Sequence, residues 1–316
     1  MYNQMSPVRT TSDLEEASSA PDNGLTSSQN RWGLLFVSPF FLLFAIFGLF
    51  PMVFSFILSF SDWNGRGAIN FIGLDNINLL LQDRVFWQSM LNGIIIFLLY
   101  TPVQIILSLG LAVLLNSKRV RGFRLFRTII FMPYITNMVA AGFVFQLLMN
   151  PRNGLFNQIL AVLAISPVPW LDTPFTARIS LVILVLWAWI GYHMVIMLAG
   201  LQTIPQDLNE AATVDGANSV QIFSSITIPL MRPVILFSLV LSTIGSFNLF
   251  TELVSLFPST RGSGPLNSTI TPGLYIFNQG FGNFRFGYAS AVAFVYFIIV
   301  FLIMVVERRY FGREDT

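Results

Sequence analysis

Six long apolar runs alternate with shorter polar segments, and this alternation is the dominant pattern of the sequence. The runs cover residues 32–60, 87–116, 123–150, 178–200, 233–257 and 286–307. A hydrocarbon core about 30 Å thick is crossed by ~20 helical residues at a rise of about 1.5 Å each, and every run reaches that length. Because lipid offers no water to unpaired backbone groups, each run is predicted to be one helix. The predicted fold class is therefore an all-α integral membrane protein with six transmembrane helices.

Prolines inside these runs are predicted to mark kinks. Pro39, Pro51, Pro102 and Pro133 each lack the amide hydrogen that a helix interior uses. In a membrane, neighbouring helices and side chains satisfy the carbonyl groups that such a proline frees. We therefore expect bent rather than interrupted helices.

The first 31 residues differ in composition from the rest of the chain. Residues 1–31 are rich in Ser, Thr, Asn, Pro and acidic residues and contain almost no large apolar side chains. Such a segment cannot bury enough apolar surface to offset its ordering entropy. It is predicted to be a disordered tail, followed by a transmembrane domain over residues 32–313.

Composition excludes several classes of protein. The 316 residues are 54% hydrophobic and only 10% charged, with a mean hydropathy of +0.70, whereas soluble domains are about 25% charged. With no Cys and His193 as the only His, the chain cannot build the Cys/His cages that hold zinc or iron, so no metal site is expected. The only Lys, Lys118, stands in "LNSKRV", which does not fit the Gly-rich loop that binds nucleotide phosphates. A net charge of +2 is too mild to predict nucleic-acid binding.

The distribution of basic residues predicts the orientation. The segments that end at Arg31, run from Lys118 to Arg127, surround Arg232 and run from Arg308 to Arg313 hold 11 of the 17 basic residues. Cytoplasmic segments carry the excess of Lys and Arg in membrane proteins. Both termini are therefore predicted to be cytoplasmic. The polar loop between the fourth and fifth helices, residues 201–230, is predicted to lie on the same side.

This loop contains "EAATVDGANSVQIFSSITIP", Glu210 to Pro229. Pro205 and Asp207 favour the start of a short helix, and Gly216 is predicted to end it before a second amphipathic stretch. The product is a helix-turn-helix on the membrane surface, whose small residues allow a partner to approach closely. On composition alone, a simple re-entry loop without a partner is an equal alternative.

The spacing within the loop favours the partner. It resembles the signature of the membrane-spanning subunits of binding-protein-dependent ABC importers, with Ile228 in place of the usual Leu. "NFIGLDNI", "RTIIFMPYITNMVAAGFVFQLLMNPRNGLFN" and "FRFGYASAVA" are similar to the carbohydrate-uptake group of these permeases, such as those for maltose or glycerol phosphate. Phe145 stands where Trp is common, and "RGSGP" replaces the usual Gly-Gly-Gly-Pro. The motif positions met here are Glu210, Ala211, Ala212, Asp215, Gly216, Ile226 and Pro229.

The resemblance implies a division of labour. A permease of this group sits in the cytoplasmic membrane of a prokaryotic cell, pairs with a second, homologous permease subunit to form a heterodimer, and rests on two ATPase subunits. Those partners bind ATP and Mg, and this chain needs no cofactor and is not an enzyme. An external binding protein delivers the sugar substrate. The helix around Glu210 is then the coupling helix, which seats in a cleft of the ATPase.

Polar residues inside the apolar runs are candidates for the substrate pathway, because they are costly in a membrane. Ser238, Ser242, Gly245, Asn248, Glu252 and Ser255 are spaced as one helical face. Packing between helices is an equal alternative for the three serines and Gly245. Asn248 and Glu252 are the main pathway candidates. The weaker candidates are Asn137, Gln146, Trp189, Tyr192, His193 and Asn92. Trp189 and Tyr192 could stack on a sugar ring, but such aromatic residues more often pack in the core or face lipid, and a lone membrane His is more often a packed, hydrogen-bonded residue.

The substrate class follows from charge. No Arg or Lys lies deep within an apolar run, whereas an anionic substrate held there needs a cationic partner or a helix N-terminus. A neutral di- or oligosaccharide is therefore favoured over a sugar phosphate. The main alternative is an ion-coupled secondary transporter that acts without an ATPase, with Glu252 and His193 as coupling residues. An integral membrane enzyme is disfavoured, because no acid, base and nucleophile cluster at interpretable spacing.

Overall fold

The structure, a computed structural model, describes residues 27–117 and 122–311, and most of these residues are helical. The α-helices in these ranges are α1 (Ser27–Phe44), α2 (Phe50–Leu58), α3 (Asp75–Gln82), α4 (Arg84–Asn116), α5 (Phe123–Ile135), α6 (Met138–Leu148), α7 (Leu155–Val162), α8 (Pro174–Gln202), α9 (Gln206–Val214), α10 (Ser219–Ile222), α11 (Ile228–Asn248), α12 (Thr251–Leu256), α13 (Pro272–Phe277) and α14 (Phe286–Phe311). Short π-helical segments lie at Ala45–Leu49, Phe223–Thr227 and Asn278–Gly282. Two short strands, β1 (Ser61–Asp62) and β2 (Asn70–Phe71), pair antiparallel.

Five helical segments in the described ranges are long and apolar enough to cross a membrane. They are Trp32–Leu58, Arg84–Asn116, Pro174–Gln202, Ser219–Asn248 and Phe286–Phe311. The bent pair α5 and α6 makes a sixth crossing if it is counted as one span. The six predicted runs therefore all correspond to helical segments.

The third span is not the single helix that residues 123–150 predicted. α5 and α6 meet at an angle of 95°. Between them Thr136 and Asn137 adopt extended backbone, and the Asn137 side chain accepts hydrogen bonds from the amides of Val139 and Ala140 at 2.9 and 3.2 Å. Asn at such a position caps a new helix rather than continuing the old one. Pro133 lies three residues before this break, whereas α1, α2 and α4 continue through Pro39, Pro51 and Pro102.

The fifth span is displaced from the predicted residues 233–257. Its helical course begins at Ser219, where Asn218 and Gln221 form a capping box, and ends at Asn248. Leu249 and Phe250 leave helical backbone angles, and the Thr271 hydroxyl donates to the Leu249 carbonyl at 2.6 Å. Hydropathy could not locate this end, because residues on both sides of the break are apolar.

The chain divides into two compact units, and the boundary between them follows Phe54. The first contains α1, the π-helical segment Ala45–Leu49 and the beginning of α2. Of the predicted tail, residues 1–26 lie outside the described residues. The remaining residues up to 31 belong to α1, since an established helix readily adds residues at its end.

The second unit is organised around α8, which packs most extensively against α4 and also contacts α5 and α11. Two apolar clusters lie along this helix. Leu181 and Leu184 belong to one, with Phe86, Phe247 and Leu253 among the other members, and Met194, Met197 and Leu198 belong to the other.

Candidate functional site

A cavity of about 300 Å³ lies where α4, α8, α11 and the start of α12 meet. It brings together four of the six predicted pathway residues, although they come from separate helices. The polar and aromatic groups in its lining include Tyr100, Trp189, Tyr192, His193, Asn248 and Glu252. Mixed apolar and polar lining of this kind is typical of small-molecule sites.

Aromatic rings form one side of this region. Tyr134, at the end of α5, stacks on Tyr192 with ring centroids 4.6 Å apart and an interplanar angle of 18°. Trp189 meets Tyr134 and Tyr192 edge-on at 5.3 and 6.0 Å. Tyr134 was not among the predicted pathway residues. It is the only Tyr or Trp in its apolar run, whereas Trp189 and Tyr192 stand close together in theirs.

Hydrogen bonds join α4, α8 and α11 beside the cavity. His193 Nδ1 and Ser238 Oγ are 2.6 Å apart, and the Ser242 hydroxyl donates to Gln104 Oε1 at 2.8 Å. The Ser108 hydroxyl donates to the carbonyl of Ile190 at 3.1 Å. These contacts place His193, Ser238 and Ser242 in interhelical packing. The sequence analysis did not single out Gln104 and Ser108, whose partners lie on other helices.

Asn248 and Glu252 both line the cavity, but not as members of one continuous helical face. The break at Leu249 and Phe250 separates them, which corrects the predicted stripe from Ser238 to Ser255. Asn248 is the last residue of α11, and Glu252 stands in the first turn of α12 with only 7% of its surface exposed. The break turns both side chains into the same cavity.

Asn137 and Gln146, the other two predicted pathway residues, do not line this cavity. Asn137 caps α6 as described above. Gln146 borders a separate hollow of about 320 Å³ together with Asp172 and Thr260. Asn137 therefore caps a helix, and Gln146 lies at a hollow separate from the cavity.

Asn92, a weaker candidate, anchors the loop before α13. Its amide donates to the carbonyls of Asn267 and Ile270 at 2.8 and 3.0 Å and accepts from Arg178 Nη2 at 3.0 Å. Arg178 Nε also donates to the carbonyl of Ser268. The loop is thereby held by side chains of α4 and α8.

Asp83 is a further residue that the sequence analysis missed. Its Oδ1 accepts from the amides of Val85 and Phe86, and its Oδ2 accepts from the hydroxyls of Tyr275 and Tyr288. Burial by itself would raise the pKa of Asp83, but these four hydrogen bonds together lower that pKa below its ordinary value. The carboxyl thus caps α4 and ties it to α13 and α14.

The loop between α8 and α11 forms a helix-turn-helix, as its pattern predicted. α9 ends at Val214, Gly216 has a φ of +86°, and Asn218 starts the next helix. Glu210, Ala211 and Asp215 are exposed. Ala212, Asp215, Gly216 and Ile226 border one hollow of about 340 Å³, and Pro229 lies half-buried in the first turn of α11. Four of the seven motif residues therefore share one surface, whereas Glu210 borders a separate hollow.

A helical membrane fold with a polar, aromatic cavity among its spans and an exposed helix-turn-helix defines a membrane transport protein. The chain belongs to the family of binding-protein-dependent transport system inner membrane components, whose model matches residues 85–313.

Characterised relatives cover nearly the whole chain. The lactose transport system permease protein LacF of Rhizobium radiobacter is 39% identical over 85% of this chain and 90% of its own. The arabinooligosaccharides transport system permease protein AraP of Bacillus subtilis is 33% identical over 98% of both chains. The trehalose/maltose transport system permease protein MalF of Thermococcus litoralis is 34% identical over 88% of this chain and 94% of its own.

Solved structures share the fold. A bacterial alginate ABC transporter, crystallised with an alginate pentasaccharide-bound periplasmic protein, contains a chain with a TM-score of 0.77 at 22% identity, over 90% of this chain and 96% of that one. A second crystal structure, of an ABC transporter that imports the acidic polysaccharide alginate, gives a TM-score of 0.76 at 22% identity, over 91% of this chain and 98% of that one. They confirm the predicted all-α membrane fold.

Family membership confirms the predicted function class. The chain is an inner-membrane permease subunit of an ABC importer and depends on a binding protein. It is not an ion-coupled transporter that acts alone, and it is not itself the enzyme that hydrolyses ATP.

Proposed function

We propose that this permease passes a neutral di- or oligosaccharide through the cavity between α4, α8, α11 and α12. The cavity is the observation that carries the proposal, because it places flat aromatic rings and hydrogen-bonding groups together among the membrane spans. Sugars need both kinds of partner: apolar faces for their C–H groups and polar groups for their hydroxyls. Three relatives named for lactose, arabinooligosaccharides and trehalose/maltose support this substrate class.

Asn248, Glu252, Trp189 and Tyr192 are the residues we propose to contact the sugar in transit. Tyr134 joins them, because it stacks on Tyr192. Asn137 and Gln146 would contact the sugar only outside this cavity. Asn137 lies at the α5–α6 break, and Gln146 lies at the hollow beside Asp172.

The helix-turn-helix of α9 and α10 is proposed to dock on the ATPase. Glu210, Ala211 and Asp215 are exposed, and the large apolar side chain of Val214 is 87% exposed on the same short helix. Small residues beside an exposed apolar group permit a close, dry contact with a partner cleft. Closure of the ATPase dimer on ATP and Mg would then move this element as a rigid body and change the access of the cavity.

The importer is expected to contain this chain, a homologous second permease and two ATPase subunits, with the binding protein on the opposite side of the membrane. Both termini and the α9–α10 loop are proposed to be cytoplasmic, since most basic residues lie in those segments.

Co-purification tests the docking proposal. The importer is solubilised with wild-type chain or with a Glu210→Ala/Gly216→Val double variant, and co-purifying ATPase and sugar-stimulated ATP turnover in nanodiscs are measured. We expect the double variant to lose at least about tenfold of ATPase retention or turnover, because Gly216 needs a left-handed backbone that Val resists.

Arg152→Ala, at an exposed turn residue outside α9 and α10, serves as the matched control and is expected to behave like wild type. If the double variant retained and stimulated the ATPase as wild type does, this loop would not be the docking element.

A further inference from the structure

Glu252 occupies an unusual position for a charged residue in a membrane protein. The break at Leu249 and Phe250 ends α11 and starts α12, so that Glu252 enters the cavity from the first turn of a new helix. The hydrogen bond from Thr271 to the Leu249 carbonyl holds this break in place. The side chain is therefore positioned by tertiary structure and not by the course of a continuous helix.

The Glu252 carboxylate has no protein partner to neutralise it. Only 7% of the surface of Glu252 is exposed. No hydrogen bond or salt bridge joins its carboxylate to any residue in the described ranges. No Lys or Arg is among the described residues that line the cavity, and His193 Nδ1 is engaged by Ser238. Buried carboxylates are usually paired or hydrogen-bonded, so an unpaired one that faces a cavity points to a ligand.

We propose that Glu252 is a specificity-determining residue that sets the charge of the saccharide the cavity accepts. Its carboxylate accepts hydrogen bonds from sugar hydroxyls and repels saccharides that carry a carboxylate, phosphate or sulfate group at that position. The inference rests on the proposed sugar-import function and deepens it. A chain of the same fold belongs to a transporter that imports an acidic polysaccharide, so the fold by itself does not exclude anionic sugars. The inference therefore assigns charge selectivity to one side chain and not to the fold.

Two physical effects make a single carboxylate effective here. An ionised carboxylate offers only hydrogen-bond acceptors, which match hydroxyl donors and oppose the acceptors of an anionic sugar. Around a side chain as buried as that of Glu252, repulsion between like charges is stronger than in bulk water. Tyr134, Trp189 and Tyr192 hold no charge, so they position the ring without offsetting that repulsion.

The absence of Cys from the sequence allows a direct measurement of the charge in the cavity. A single cysteine is placed at Asn248 (Asn248→Cys) in the assembled importer in nanodiscs. Its reaction rates with a cationic and an anionic methanethiosulfonate of similar size are measured on this chain. The same pair of rates is then measured with Glu252→Gln added.

We expect the cationic reagent to be favoured with Glu252 present, and the ratio of cationic to anionic rates to fall at least about tenfold with Glu252→Gln. Glu307→Gln is the matched control, because Glu307 is an equally buried carboxyl that contacts Thr243 on α11 and does not line the cavity. It is expected to leave the ratio unchanged. An unchanged ratio with Glu252→Gln overturns the proposal, and so does a cysteine at position 248 that neither reagent reaches.

Sugar binding by the same complexes gives a second test. Lactose and lactobionate, its carboxylate derivative, are compared by saturation-transfer NMR. Wild type is expected to prefer lactose, and Glu252→Gln to reduce that preference about tenfold. Equal preferences in the two proteins overturn the role of Glu252. Both measurements read local charge and sugar binding, not ATP turnover or transport, so their failure is distinct from failure of the proposed import function.

Discussion

Single residues show how polar side chains hold the segments between the spans in place. Asn157, in α7, donates to the carbonyls of Pro151 and Val168 and accepts from the Val168 amide and from Trp170 Nε1 at 2.9 Å. All four hydrogen-bonding positions of its amide are thereby filled. Asp83 acts in the same way at the start of α4. Their hydrogen bonds fix the shape of the segments between the spans.

The hydrogen-bonded Asp83 carboxylate is predicted to make the stability of the protein depend on pH in acid. Its folded pKa is lowered, so the stabilisation it supplies is complete above the ordinary aspartate value of 3.8 and is lost as pH falls through the lower folded pKa. Asp83→Asn should therefore lower the melting temperature at pH 7, and the difference from wild type should shrink below about pH 4. Scanning fluorimetry from pH 3 to pH 7 measures this difference.

Tyr275→Phe provides a graded comparison for Asp83→Asn. It removes one of the two tyrosine donors and leaves the amides of Val85 and Phe86 in place. We expect a smaller loss of stability with the same pH trend. A difference between wild type and Asp83→Asn that grew in acid would contradict the assigned cause.

At the scale of elements, close helix packing depends on glycine at particular points. Gly191 in α8 faces the backbone of α5, where an added Cβ would lie 2.1 Å from the carbonyl oxygen of Ile130 and 2.8 Å from Phe131 Cα. Backbone atoms cannot move aside as a flexible side chain can. This approach brings Tyr134 of α5 against Tyr192 and Trp189 of α8, so it also shapes the aromatic side of the cavity.

Gly191→Ala is predicted to destabilise the protein by about 1–3 kcal/mol through overpacking. Gly110→Ala is the matched control, because it changes a glycine inside α4 whose added Cβ meets nothing within 4 Å. In that helix, Ala should be neutral or stabilising by about 0.5–1 kcal/mol. Melting temperatures of the two purified variants give the comparison, and equal values would show that the α5–α8 contact does not require glycine.

At the scale of the whole molecule, successive membrane crossings have to alternate in direction, which makes the proposed orientation testable. The α9–α10 loop and the loop before α13 lie at opposite ends of the fifth span, and each carries a highly exposed residue, Val214 at 87% and Leu266 at 83%. The positive-inside pattern places the first in the cytoplasm and the second outside.

Single cysteines in this cysteine-free chain report that orientation. Leu266→Cys should react with a membrane-impermeant thiol reagent in intact spheroplasts, whereas Val214→Cys should react only after permeabilisation. Labelling of this chain is read by gel shift. Labelling of Val214→Cys in intact spheroplasts, with Leu266→Cys protected, would reverse the orientation.

Local pattern determined a large part of this protein. Apolar runs of the right length predicted every membrane-crossing segment, because the requirement to satisfy backbone groups in lipid acts on each segment separately. The spacing from Glu210 to Pro229 predicted the helix-turn-helix and, by resemblance, the family. Trp189, Tyr192, Asn248 and Glu252 stood out because polar or aromatic groups are conspicuous in apolar runs.

Tertiary structure alone decided where the helices break and which residues meet. The 95° bend after Ile135 and the end of α11 at Asn248 depend on caps and on a hydrogen bond from Thr271, none of which hydropathy records. Contacts such as Tyr134 with Tyr192 and Asp83 with Tyr288 join residues 58 and 205 positions apart. A sequence pattern describes the surroundings of one segment, whereas a cavity is formed by side chains that only the packing of several segments brings together.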